Sequence, residues 1–156
     1  MNNKPSYLTA EGEAKLRAEL EQLKGPSRDA LAKRLHTAIQ QGDLSENADY
    51  IQAKEEQGFL EGRIQELTQI LNNVVTIQEN NGRHDSVEIG VKITIQEDQY
   101  PEETYFLVGP QEADPRNGRI SHKSPIGEAL LNHKVGDKVV VTTPAGEINL
   151  KIIKIE

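Results

Sequence analysis

The sequence predicts an α+β protein in two parts. Residues 1–78 should form an antiparallel α-helical coiled-coil hairpin, and residues 79–156 a small antiparallel sheet with one short helix. Three observations carry this. Composition changes near residue 78, from Ala, Leu, Glu, Gln, Lys and Arg, which favour helix, to Val, Ile and Thr punctuated by Gly and Pro. Tyr50, Ala53, Gln57, Leu60, Ile64, Leu67 and Leu71 follow one another at alternating spacings of three and four, the seam of a coiled coil. Val87, Ile89, Val91, Ile93 and Ile95 alternate with polar residues, as a half-buried strand does.

In chain order, Thr9 is the expected N-cap of the first arm, with Leu16, Leu20 and Leu23 at helical spacing. Gly25-Pro26 should break or kink this arm, and Leu31, Leu35 and Ala38 resume the stripe in a shifted phase. Gly42 ends it. An arm of roughly 30 residues would reach about 45 Å, and a pair of them joined by a short polar turn folds back as a hairpin. Glu79 to Asp85, with Asn80-Asn81-Gly82, reads as the linker. Thr104–Val108 and Arg119–Ser121 read as further strands. Ser124-Pro125 supplies an N-cap and a first-turn proline for a short helix through Leu131. Lys138–Thr142 and Glu147–Ile155 close the domain as a pair joined by Pro144-Ala145-Gly146.

Composition narrows the function. The 156 residues carry a net charge of -7, with 9 basic and 12 acidic residues up to position 78 and 9 and 13 beyond it. Neither half has the basic footprint of a duplex-DNA binder, so contact with nucleic acid is expected to be local or arranged by another protein. The absence of Cys excludes disulfides, zinc–thiolate sites and thiol nucleophiles. No apolar run long enough to span a membrane occurs and no secretory signal is expected at the start; a cytoplasmic monomer is the expectation. His36 and His133 are isolated from one another and are expected to be surface residues rather than metal ligands. Asp49, Glu55 and Glu56 are expected on solvated helix faces. Gly58 and Gly62 lie inside a helix at a cost of about 1 kcal/mol each relative to Ala; close approach of the facing arm is one reason among others.

The informative segment joins the arms: Gly42-Asp43-Leu44-Ser45-Glu46-Asn47-Ala48-Asp49-Tyr50 (tip, 42–50). One reading is local: Asp43 caps the next helix, and Glu46 completes a capping box and favours the helix N-terminus. The other reading is chemical. Two carboxylates about one turn apart, at the end of a narrow prong, suit a hard cation such as Mg²⁺, which often takes only one or two protein carboxylates. Such a cation could complete a two-metal site on another macromolecule.

GDLSENADY, followed by AKEEQGFLEGRI, closely resembles the bacterial transcript cleavage factors of the Gre family, the GreA type in particular. ISHKSPIGEALL and VVVTTPAGE resemble that family's globular domain, which is similar to the FK506-binding-protein (FKBP) fold. The resemblance runs through nearly the whole chain. It implies that the coiled coil enters the secondary channel of bacterial RNA polymerase while the globular domain docks at the channel's rim. It also implies that Asp43 and Glu46 help the polymerase hold a second Mg²⁺ and orient a water, so that the polymerase cleaves the extruded 3′ end of a backtracked nascent RNA. The chain would then activate another enzyme rather than be one. Tight Mg²⁺ binding to the free protein is not expected.

Members of this type commonly carry a basic residue four positions before the tip aspartate, where this chain has Ile39. Lys54 keeps a second basic position, implied to contact RNA phosphates. Ser124 and Pro125 match the docking element, preceded here by Lys123 instead of the usual Asp or Asn. Two other functions compete: a Gre-like inhibitor that plugs the channel without stimulating cleavage, and a prolyl isomerase or chaperone, whose aromatic pocket would rest on only Tyr100, Tyr105 and Phe106.

Overall fold

The computed structural model describes residues 4–78 and 84–156. These fall into two compact units: residues 4–5 with 13–74, and residues 75–156 together with Ser6–Gly12. Of the expected linker, Glu79 to Arg83 lie outside the described residues.

The arm leading to the tip comprises α1 (Ala10–Gln22), whose first three residues count with the second unit, a π-helical turn over Leu23–Ser27, and α2 (Arg28–Gln40). Thr9 caps α1 as expected, its Oγ1 accepting the Gly12 N–H at 3.0 Å. Gly25-Pro26 does not break the arm. The wider π turn absorbs a residue that has no N–H to donate, and the Arg28 N–H reaches back to the Leu23 carbonyl. The returning arm, α3 (Ala48–Asn72), has 25 residues and is therefore about 38 Å long.

The predicted seam faces the partner arm. Ala53, Ile64, Leu67 and Leu71 are buried, and Tyr50, Gln57 and Leu60 half-buried. Opposite them Leu31 and Ala38 are buried and Leu35 half-buried.

Arginine–glutamate pairs cross between the arms. Arg28 holds Glu61 through two bonds of 2.8 and 2.7 Å, Arg63 holds Glu19 at 2.8 and 3.1 Å, and Arg34 pairs with Glu56. Glu56 is thus an inter-arm partner and not merely a solvated face. Close approach of the facing arm is not the reason for Gly58 and Gly62: a Cβ at either would meet nothing within 4 Å.

The second unit contains a five-stranded sheet of β3 (Lys92–Glu97), β4 (Glu103–Val108), β5 (Arg119–Ser121), β6 (Lys138–Thr143) and β7 (Gly146–Ile155), in the order β5-β4-β3-β7-β6. All pairings are antiparallel except the edge pair β4–β5, which is parallel. The alternating run from Val87 has the predicted inward face, with Val87, Val91, Ile93 and Ile95 buried. Its ladder begins only at Lys92, because the chain turns at Gly90, whose φ of +98° suits glycine. Before that turn Val87 exchanges backbone hydrogen bonds with His133 and Asn132.

One short helix, α4 (Pro125–Leu130), closes the core, with Leu130 fully buried among Ile93, Leu107 and Ile152. Gly127 permits its close seat: a Cβ there would lie 2.1 Å from the Ser121 carbonyl oxygen.

A feature absent from the sequence prediction is the two-stranded ribbon of β1 (Ser6–Thr9) and β2 (Val74–Ile77). In the same unit the largely buried Glu112 carboxylate accepts the Thr9 N–H at 2.7 Å and the Thr9 hydroxyl.

Candidate functional site

The turn between α2 and α3 is built by its polar residues. α2 ends where Gln41 and Gly42 donate back to the Ala38 and Ile39 carbonyls, and Gly42 takes a φ of +95° that any other L-residue would resist. Asp43 does not cap α3. Its Oδ1 instead accepts the Ser45 N–H at 3.2 Å and the Ser45 hydroxyl at 2.7 Å, folding the loop on itself. Nor does Glu46 complete a capping box. The N-cap of α3 is Asn47, whose Oδ1 accepts the Tyr50 N–H at 3.0 Å.

Sequence reasoning missed Asn47 by favouring the acidic pair, although Asn immediately before a helical run is among the best N-cap residues. Both acids are consequently exposed, and Glu46 has no hydrogen-bond or ion-pair partner among the described residues.

The donor set at the tip is hard oxygen: the second oxygen of Asp43 and both oxygens of Glu46. That chemistry fits Mg²⁺, with most of the coordination sphere left for water or another macromolecule. Among the described residues no group of three or more His, Asp or Glu side chains could hold a metal. His36 contacts Gln40 at 3.2 Å, and His133 lies 3.1 Å from the Leu131 carbonyl.

Of the other predicted positions, Lys54 is exposed on α3, two turns beyond the cap. Its ammonium donates to Gln57 at 3.1 Å and lies 6.0 Å from the centre of the Tyr50 ring. Ile39 is 51% exposed in the last turn of α2, an apolar side chain in water where a cation would be ordinary.

In the second unit Ser124 caps α4, accepting the Gly127 N–H at 3.1 Å and donating to the Ser121 carbonyl at 2.6 Å. Its hydroxyl is therefore occupied locally, while Lys123 and Pro125 are exposed. A cavity of about 350 Å³ beside α4 is lined by Tyr100, Pro101, Tyr105, Ile126 and the carboxylates Glu97 and Glu103. Phe106 does not line it; its ring stacks with Arg119 at 5.8 Å. The Tyr105 hydroxyl donates to Glu103 at 2.6 Å, and this bond, with partial burial and the nearby carboxylates, pushes the phenol up to about 12.

Comparison with known proteins decides the family. The model "Transcription elongation factor, N-terminal" matches residues 6–75, and "Transcription elongation factor, GreA/GreB, C-term" matches residues 72–156. The chain belongs to the GreA/GreB family of transcription elongation factors. The transcription elongation factor GreA of Thermoanaerobacter pseudethanolicus is 49% identical over 98% of both chains. That of Chloroflexus aggregans is 47% identical over 99% of both. Among solved structures, GreA factor homolog 1 of Thermus thermophilus shares 27% identity, covering 98% of this chain and 99% of that one, with a TM-score of 0.44. In this GreA/GreB chain the two family models meet within residues 72–75, at the end of α3 and the start of β2. No helix among the described residues is long and apolar enough to cross a membrane.

Proposed function

We propose that this chain stimulates the Mg²⁺-dependent cleavage of backtracked nascent RNA by bacterial RNA polymerase, entering the secondary channel with its hairpin and docking through the sheet domain. The observation that carries this reading is the tip: two exposed carboxylates, Asp43 and Glu46, in the seven residues between two helical arms, in a chain of the GreA/GreB family.

A second Mg²⁺ held jointly by the tip and the polymerase would supply an activated water and stabilise the leaving oxygen of the phosphodiester. Asp43 contributes the carboxylate oxygen that Ser45 does not engage, and Glu46 an unencumbered pair. Lys54, exposed on α3, would attract the phosphates of the extruded RNA. At the rim, Pro125 and Lys123 are the exposed residues of the Ser124-Pro125 turn, and Ser124 shapes that turn through its cap. Two exposed carboxylates alone make a weak Mg²⁺ site, so the metal is shared only in the complex.

Stalled, backtracked elongation complexes with Mg²⁺ test this. Wild-type protein should release short 3′ RNA fragments, while Asp43→Ala and Glu46→Ala should bind polymerase and release none. Binding without release by the wild type would instead favour a channel-plugging inhibitor, the reading that Ile39 and Lys123 support. Turnover of a proline-containing peptide by the free protein would favour an isomerase acting at the Tyr100–Tyr105 cavity.

A further inference from the structure

Asn47 does more than cap α3. Its Oδ1 accepts the Tyr50 N–H at 3.0 Å, while its Nδ2 donates to the Ala38 carbonyl at 2.7 Å and reaches the Gly42 carbonyl at 3.5 Å. A single amide therefore joins the last turn of one arm, the start of the loop and the first turn of the other arm. The loop 42–46 that carries both acids is fastened at its two ends by this one side chain, and across its middle by the Asp43–Ser45 bonds. Little apolar packing is available to do the same work, because the buried residues nearest the tip are the alanines Ala38 and Ala53.

We infer that Asn47 is the positioning residue of the tip, setting where Asp43 and Glu46 stand relative to the two arms. The inference rests on the proposed role of those acids. Its chemistry is specific to a primary amide at this reach. Aspartate could accept but not donate. Serine could cap α3 but is too short to reach the Ala38 carbonyl.

Asn47→Ser is the discriminating variant, because it removes the clasp and keeps the cap. Cleavage of backtracked complexes would be titrated with wild type, Asn47→Ser, Asn47→Ala and Asp43→Ala. Maximal rate would be separated from half-saturating factor concentration, and helicity checked by circular dichroism. Misplacing a reacting group by about 1 Å costs up to about a hundredfold. Asn47→Ser should accordingly lose on the order of tenfold or more in maximal rate, with wild-type helicity and an unchanged half-saturating concentration. Asn47→Ala should lose at least as much.

A wild-type maximal rate for Asn47→Ser overturns the inference, as does a loss confined to half-saturation, which would make Asn47 a docking residue. If Asp43→Ala itself cleaves normally, the proposed role of the acids fails first, and the positioning role with it.

Discussion

The hairpin and the sheet unit are stabilised in different ways. In the sheet unit, α4 and the strands enclose a continuous apolar core, with Ile93, Leu107, Leu130 and Ile152 wholly buried. In the hairpin, burial concentrates in the Ile64–Leu71 half of α3 and dwindles to Ala53 and Ala38 toward the tip. An alanine methyl contributes only about 0.8 kcal/mol when buried. Near the tip, order must therefore come from hydrogen bonds, and along the arms it is reinforced by exposed Arg–Glu pairs. The contrast suits the proposed division of labour: a narrow prong that can enter a channel cannot also carry a thick core.

The largest effect that would break this contrast is a cavity in the sheet core. Leu107→Ala should destabilise the sheet unit by about 2–5 kcal/mol, seen as faster hydrogen exchange in β3, β4 and β7. A loss below about 1 kcal/mol would mean that the core is not what holds this unit.

A smaller effect, of opposite sign, is expected on the hairpin. Gly58→Ala and Gly62→Ala meet open space and should each slow exchange in α3 by about 1 kcal/mol of added helix stability. Destabilisation by either would revive the close approach of the facing arm.

Smaller again is the contribution of the surface pairs. Arg63→Ala, which releases Glu19 and Glu66, should cost at most about 1 kcal/mol and less at high salt. Hydrogen bonding from Arg28 holds Glu61 below the usual carboxylate range. That pair's contribution is present above the unfolded Glu value and fades as pH falls through Glu61's lowered one.

The Tyr105–Glu103 bond is tested at alkaline pH, where its contribution disappears. Spectrophotometric titration should find one phenol ionising near 12, and Tyr105→Phe should remove it. Its raised value adds stability that is complete below the ordinary tyrosine pKa of about 10 and is lost as pH rises toward 12.

Periodicity made the arms, the seam and most strand positions legible, because burial of one face writes itself into spacing. What stayed illegible depended on hydrogen bonds between residues distant in sequence or on unusual backbone. The β1–β2 ribbon joins segments more than sixty residues apart. The π turn at Pro26 converts an apparent break into a continuous arm, and Gly90 delays a strand whose inward face was correctly read.

At the tip, chemistry and resemblance single out Asp43 and Glu46 as the proposed site, but their local geometry was not legible. A capping box was expected, and Asn47 took the cap because it also finds the Ala38 carbonyl across the turn. At Ser124 the cap was read correctly, since Ser-Pro fixes it within two residues.

The central claim is that the tip carboxylates complete a metal site in another protein. The most direct test is the Mg²⁺ concentration giving half-maximal RNA release from backtracked complexes, measured with no factor, wild type and Asp43→Asn, the last two at saturating occupancy. The account predicts that wild type lowers this concentration and that Asp43→Asn, bound equally well, leaves it at the value of polymerase alone. An equal lowering by both proteins would contradict it.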